Sequence, residues 1–387
     1  MNCVAGRSRK IVCVHLYDDF SGSAKVFAQG IAALESAGHE VRVLVGSHGE
    51  AGFIRRAHAV ETFPYHFPTQ RWRLLLCFVA AQWRLFWCVR STSRQWGADL
   101  IYVNTVLPVG AVAAAVFSDI QVLAHVHEVG SGTPGLFRAL LWCVSRGADK
   151  IICVSRYVAE TLPLPRSRVR MLPNSLDADS ERRAEEIWSQ RTQRTGCRPF
   201  SVTMACSLKW YKGMDSFLYL ARDFERDASP IRFVLVLNCD AVDLESFLAG
   251  QSIPANVSVI RRPASVFDVY RESDLVVNLS HRDGWIETFG LTLLEAMACG
   301  IPVIAPRTGG CTELFRDGEG GWRIDSRDFD HLKERIKGLA SDREAWELSC
   351  RTARMSAARF SRAGFDNGLK VIVDEMRAGS RASRTVG

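Results

Sequence analysis

Two carboxylates eight positions apart, Glu287 and Glu295, enclose Phe289, Gly290, Leu291 and Thr292. A glycine-containing loop that runs into a helix offers unpaired backbone N–H groups and the positive end of the helix dipole, which together suit an anion. Both carboxylates can face one ligand there. Taken as an isolated pair they read first as a helix cap and a solvated loop acid, because Thr292-x-x-Glu295 has the capping-box spacing. Elsewhere, Lys212 beside Gly213 ahead of a helix is suited to neutralising phosphate. His127-Glu128 ends a strand-like run, where functional side chains of open parallel sheets gather. A lone histidine is more often structural, and His125 with His127 would hold a metal only if further ligands converged. Ser21-Gly22-Ser23 precedes a helix, where its glycine admits close approach of a ligand but its serines are also ordinary capping residues.

The elements that must position these groups alternate as strand and helix. Residues 11–16 and 41–45 read as strands around a helix over 24–37, with apolar residues at Val26, Phe27, Ile31 and Leu34 and a stop at Gly38-His39. Further strands are expected over 99–104, 121–128, 200–205, 231–237, 257–260, 275–279 and 303–305, with a helix from about Leu291 to Gly300-Ile301-Pro302. Such βαβ alternation predicts parallel sheets. At 387 residues the chain is too long for one ordinary core and suits two domains of about 150–200 residues. The expected boundaries are 1–177, a charged linker 178–198, 199–360, and a tail 361–387 whose residues 365–376 cross back to the first domain.

The stretch from Glu287 to Ala305, followed by Gly309-Gly310 and Glu313, closely resembles the donor-sugar signature of family 4 glycosyltransferases. That resemblance implies an α/β chain of two facing Rossmann-like domains, the glycosyltransferase-B fold, with a nucleotide sugar in the interdomain cleft. It implies that Glu287 meets the hydroxyls of the transferred sugar, that Glu295 meets the ribose, and that backbone amides from Phe289 to Thr292 cradle the diphosphate. It places Gly22 and Ser23 opposite the donor phosphate, although Ser21 stands where relatives carry a second glycine. His127 followed by Glu128 matches the family's strand-end histidine that faces the sugar. Ser155 matches a strand ending in serine, and Pro173-Asn174-Ser175-Leu176-Asp177 matches a turn before the linker, with Ser175 replacing glycine. Many relatives pair an arginine with Lys212; Ser207 occupies its place, and Lys209 is the substitute charge. The nucleobase is expected near 261–267.

Bulk properties bound the rest. A hydrophobic share of 47% with 24% charged residues is globular, and no segment combines the length and freedom from charge of a membrane span. The N-terminus lacks the apolar core of a signal peptide, so a cytoplasmic location is expected. Twelve cysteines without a C-x-x-C pair read as reduced and buried rather than as disulfides or a zinc site. Residues 1–175 hold 19 Lys and Arg against 11 Asp and Glu, a net of +8 within a total of +7, so the first domain meets the anionic partner. Residues 71–96 interleave Trp and Arg on an apolar helix, which suits either an ordinary helix of an α/β domain or an interfacial face on an anionic membrane. Base stacking ranks below both, since no nucleic-acid module is recognisable.

The function expected is a retaining glycosyltransferase that moves a sugar from a nucleotide sugar to a glycan or lipid-linked acceptor, in cell-surface polysaccharide or glycolipid synthesis. No cofactor and no metal are expected if Lys212, nearby amides and the helix dipole carry the diphosphate's charge. The strings Asp177-Ala178-Asp179 and Asp328-Phe329-Asp330 are read as solvated acids. Glu128 and Glu287 are the only carboxylates placed to act as a covalent nucleophile, and front-face substitution is what the resemblance implies. Two rivals stand: a sugar-nucleotide epimerase or hydrolase on the same architecture, and a non-catalytic partner subunit.

Overall fold

The computed structural model describes residues 8–47, 51–65, 71–130, 134–191 and 198–378. They form two compact units, one of residues 1–174 with 363–387, the other of residues 175–362.

In the first unit the strands are Lys10–His15 (β1), Glu40–Ser47 (β2), Glu61–Pro64 (β3), Leu100–Asn104 (β4), Gln121–Val126 (β5), Lys150–Cys153 (β6) and Val169–Met171 (β7). They pair in parallel in the order β3-β2-β1-β4-β5-β6-β7. The central strands are buried along their length, as a sheet covered on both faces requires. The helices are Gly22–Ser36 (α1), Phe53–Ala57 (α2), Arg71–Trp96 (α3), Val109–Val116 (α4), Pro134–Gly147 (α5) and Arg156–Thr161 (α6). Ser21 caps α1 through the Ala24 N–H, so a serine there serves the helix start where a second glycine would not. Ser155 is the cap of α6, accepting from the Val158 N–H, and lies past the end of β6.

The second unit opens on Ala178–Arg191 (α7), so most of the stretch expected to be a linker is helix; residues 192–197 lie outside the described residues. Its apolar positions Ala184 and Ile187 are buried, which a charge-based reading overlooked. The strands Ser201–Ser207 (β8), Arg232–Asn238 (β9), Val257–Arg261 (β10), Leu275–Val277 (β11), Val303–Ala305 (β12) and Gly321–Arg323 (β13) pair in parallel as β10-β9-β8-β11-β12-β13. The helices are Met214–Arg226 (α8), Ala241–Ala249 (α9), Val266–Tyr270 (α10), Leu291–Ala298 (α11), Phe329–Ser341 (α12) and Arg343–Ala357 (α13). Phe217, Phe224 and Phe233 meet in the core at ring distances of 5.4 and 5.5 Å. Each such buried ring contributes about 1.5–3 kcal/mol over an exposed one. The last helix, Arg362–Ala378 (α14), counts with the first unit, where the Met376 carbonyl accepts from Gln121 and Glu375 pairs with Arg170.

The D-x-D acids stay in contact with solvent, Asp179 at 59% and Asp328 at 31% side-chain exposure, and make local contacts: Asp177 accepts from Ser180, Asp179 pairs with Arg182 and Arg183, and Asp328 caps α12 and pairs with His331. One expectation is corrected: α3, over 73–96, is long and apolar enough by length and composition to cross a membrane, because its four arginines are spaced widely enough to leave an apolar window.

Candidate active site

In the second unit Lys212 and Glu287 meet at the carboxyl edge of the sheet. Val277 ends β11, and Asn278 just beyond it donates through Nδ2 to Glu287 Oε2 at 3.2 Å. Lys212 Nζ, from the turn after β8, donates to the same oxygen at 3.1 Å. Both ionic side chains are under a fifth exposed, at 17% and 18%. Burial would raise the Glu287 pKa, but the Lys212 charge and the hydrogen bonds from Lys212, Asn278 and the Gly290 N–H outweigh it and hold the carboxylate below its usual range. Burial likewise pulls Lys212 down while Glu287 lifts it above the usual lysine value. The pair is therefore charged throughout the neutral range.

The indole of Trp285 lies 5.4 Å from Lys212 Nζ and stacks on Tyr211 at 5.6 Å, which closes one side of the ammonium. The loop that carries Trp285 is fixed by His281, whose ring joins Asp215 at 2.8 Å and Ser326 at 2.9 Å. Lys209 is exposed and joins none of these contacts.

Helix α11 begins at Leu291, as expected, but without the expected capping box. Its N-cap is Gly290 at φ +88°, with no side-chain cap, and a Cβ there would sit 3.0 Å from that of Cys311. Thr292 lies inside the helix, its carbonyl accepting from Tyr270, and Glu295 is buried at 5% exposure near enough to Tyr270 to act on its hydroxyl, whose pKa rises through burial first and Glu295 second. The capping-box spacing is met equally by a helix interior, and a left-handed glycine supplied the start instead. Among the described residues no side chain caps the first N–H groups of α11, from Leu291 and Thr292, as an anion site requires. Phe289 is buried edge-on to Phe360 at 5.7 Å and anchors the loop between Glu287 and the helix.

In the first unit His127 and Glu128 follow directly on β5, which ends at Val126 rather than at Glu128. His127 Nε2 meets Asn104 Oδ1 at 2.8 Å, and the rings of His125 and His127 lie 4.2 Å apart, on one face as period two requires. His125 Nδ1 meets the Tyr102 hydroxyl at 2.8 Å. Asn104 Nδ2 reaches His15 Nδ1 at 3.2 Å and the carbonyl of Ser23, beside Gly22 at the start of α1, at 3.1 Å. Asn104, Tyr102, His15 and Asn278 went unremarked in the sequence; their signal was only that polar residues stand at or near the ends of apolar strands.

Burial lowers His15 to about 4 and His125 to about 3, lowers His127 well below 6.5, and raises Glu128 from 4.5 to about 7. Unfolded imidazoles take protons near 6.5, so between about pH 4 and 6.5 the unfolded chain binds more protons at these three sites and stability rises with pH. Glu128 opposes this, since between 4.5 and 7 the folded state holds a proton the unfolded state loses, but it is one group against three. The thermal midpoint should therefore be lower at pH 5 than at pH 7; an equal or higher midpoint at pH 5 would contradict this balance.

Residues 191–355 match the family model described as glycosyl transferases group 1, and residues 20–180 match that of glycosyltransferase family 4. Among curated relatives, a GDP-mannose-dependent alpha-(1-6)-phosphatidylinositol monomannoside mannosyltransferase from Mycolicibacterium smegmatis is 26% identical over 228 residues, 56% of this chain and 60% of that protein's length. A D-inositol 3-phosphate glycosyltransferase from Corynebacterium jeikeium is 34% identical over 125 residues, 32% of this chain and 29% of its own. In fold, the crystal structure of Anabaena HepE in complex with UDP-glucose superposes with a TM-score of 0.74 at 19% identity, covering 96% of this chain and 100% of that one. Sucrose-phosphate synthase from Thermosynechococcus elongatus gives 0.75 at 16% identity, over 96% and 100%.

Proposed function

The chain belongs to the glycosyltransferases of group 1 and family 4, and from that premise we propose that it is a retaining enzyme. Its reaction moves a sugar from a nucleotide sugar to a glycan or lipid-linked acceptor in cell-surface polysaccharide or glycolipid synthesis. The observation that carries this reading is the Lys212–Glu287 pair beside the uncapped start of α11. Lys212 and the amides around Gly290 take the leaving diphosphate, Glu287 orients the sugar hydroxyls, and Glu295 is assigned to the ribose. The acceptor oxygen bonds to the anomeric carbon on the face from which the diphosphate departs, and the acceptor's proton passes to a diphosphate oxygen. His127 stabilises positive charge on the sugar. No metal is assigned a role, because fixed donors at the site suffice for the diphosphate's charge.

A panel of nucleotide sugars tests the reading. One member is expected to raise the thermal midpoint, as a ligand bound only by the folded state must, and to be turned over with release of the nucleoside diphosphate at a rate that chelators leave unchanged. Conversion into an isomeric sugar nucleotide would favour the epimerase. Binding without any turnover would favour the partner subunit.

The reaction is placed at an anionic membrane surface. Along α3, Ala81, Leu85 and Val89 are buried against the unit, with Gln82 accepting from the Gly110 N–H, while Leu75, Leu76, Val79, Trp83 and Trp87 face outward, Trp83 at 64% exposure. Phe117, 72% exposed, meets Phe86 at 6.0 Å and extends this face. No Asp or Glu lies on α3, and Arg73, Arg84, Arg90 and Arg94 flank its apolar residues. One packed face and one bare face suit a helix lying on a bilayer better than one crossing it. The protein should co-sediment with anionic vesicles and release as salt rises, each basic residue near the surface being worth about 1 kcal/mol and screened over ~10 Å at 0.1 M. A double change of Trp83 and Trp87 to Glu should abolish sedimentation without loss of fold. Equal binding to neutral vesicles would count against the electrostatic part.

A further inference from the structure

The polar cluster at the ends of β1, β4 and β5 contains one group whose orientation is forced. The carbonyl of Ser23 can only accept, so the atom of the Asn104 amide facing it at 3.1 Å must be Nδ2. Turning the amide over would set two oxygens against each other. With Nδ2 committed to Ser23 and to His15 Nδ1, Oδ1 is left facing His127 Nε2 at 2.8 Å and can only accept from it. The two histidines are thereby assigned: His15 carries its proton on Nε2, since its Nδ1 accepts, and His127 carries its proton on Nε2, since that atom donates. The other ring nitrogen of His127 has no hydrogen-bond partner among the described residues.

We infer that Asn104 is a positioning residue, whose amide fixes the proton of His127 on Nε2 and so presents Nδ1 as a bare acceptor for a hydroxyl of the bound sugar. The inference rests on the reading of His127 as the group that meets the transferred sugar. It adds a physical link that this reading lacks. The amide that orders His127 is held by Ser23, in the loop assigned to the donor phosphate, so a shift of that loop is felt at the imidazole through a single side chain. The remaining ionisable groups around His127 are His125 stacked on its ring, His15 across Asn104, Glu128 on the adjoining residue, and Tyr102 behind His125. Of these, none accepts from His127 Nε2, so the tautomer depends on Asn104 alone.

The test uses the full chain with 15N-labelled histidine and a long-range 1H–15N spectrum at pH 7.5, the His127 signal being identified by its loss in His127→Phe. The wild-type protein is expected to show His127 protonated on Nε2. Asn104→Leu, close in volume but without the amide, should lose that bias and lower kcat about tenfold to a hundredfold with a much smaller change in the donor KM. Asn104→Asp keeps an acceptor for Nε2–H, so it should retain the tautomer and recover part of the rate. A wild-type His127 protonated on Nδ1, or a tautomer unmoved in Asn104→Leu, would overturn the inference. A tautomer that moves while kcat does not would leave Asn104's effect on the ring standing and remove His127 from the reaction instead. Should Asn104→Leu fail to fold, the wild-type spectrum and Asn104→Asp decide, since loss of the Nε2–H form in Asn104→Asp would equally overturn it.

Discussion

Glu287→Gln is expected to lower turnover by about a hundredfold or more, because the side chain proposed to orient the sugar keeps its shape and loses its charge. The same change leaves Lys212, only 17% exposed, facing a neutral amide. An ammonium deprived of its partner in such a place costs about 1–3 kcal/mol, so a lower thermal midpoint should accompany the lost rate. The two effects separate by measurement: kcat is read well below the midpoint, where the variant is folded. A normal rate in the folded variant would remove Glu287 from the role assigned to it. An unchanged midpoint would instead mean that Lys212 finds another partner.

Gly309→Ala should do comparable damage without touching a functional side chain. Gly309 holds φ +120° and ψ 172°, a region open essentially to glycine alone, and a Cβ there would lie 2.4 Å from the carbonyl oxygen of Glu287. The backbone strain alone costs about 1–3 kcal/mol. Relief of the overlap must move the Glu287 backbone, and a displacement of order 1 Å at a positioning group can cost about a hundredfold in rate. Gly338→Ala is the control: it lies inside α12 with open space around its would-be Cβ, so it should raise the midpoint slightly, by about 0.5–1 kcal/mol. Equal behaviour of the two variants would show that Gly309 is not a contact on which Glu287 depends.

What the sequence made legible follows its range of interaction. The strand and helix around Ile11 to Leu34 could be read because hydrophobic periodicity and a helix stop are local, and β8 to β12 of the second unit for the same reason, whereas the three-residue β13 was too short to show. The loop proposed to hold the donor stood out because the groups from Glu287 to Glu295 are packed into nine consecutive residues. The helix start at Leu291 was legible too but its cap was not, since Thr292-x-x-Glu295 fits a cap and an interior alike and only the positive φ of Gly290 distinguishes them. Groups brought together by the sheet were hidden for a different reason. Lys212 and Glu287 are 75 positions apart, and Asn104 and Ser23 are 81 apart, so their pairing depends on strand order rather than on spacing. Charge misled at 178–191, where Arg and Glu pair with one another along an exposed helix face while Ala184 and Ile187 are buried.

Transfer from a nucleotide sugar is proposed to keep the anomeric configuration, which NMR of the anomeric position during turnover reads out. The nucleotide sugar that raises the midpoint most would be supplied with an acceptor and the new linkage followed through its three-bond H1–H2 coupling, or through the one-bond C1–H1 coupling where H2 is equatorial. The first-formed linkage is expected to carry the donor's own anomeric configuration, unchanged in the presence of a chelator. A first-formed linkage of inverted configuration would contradict it.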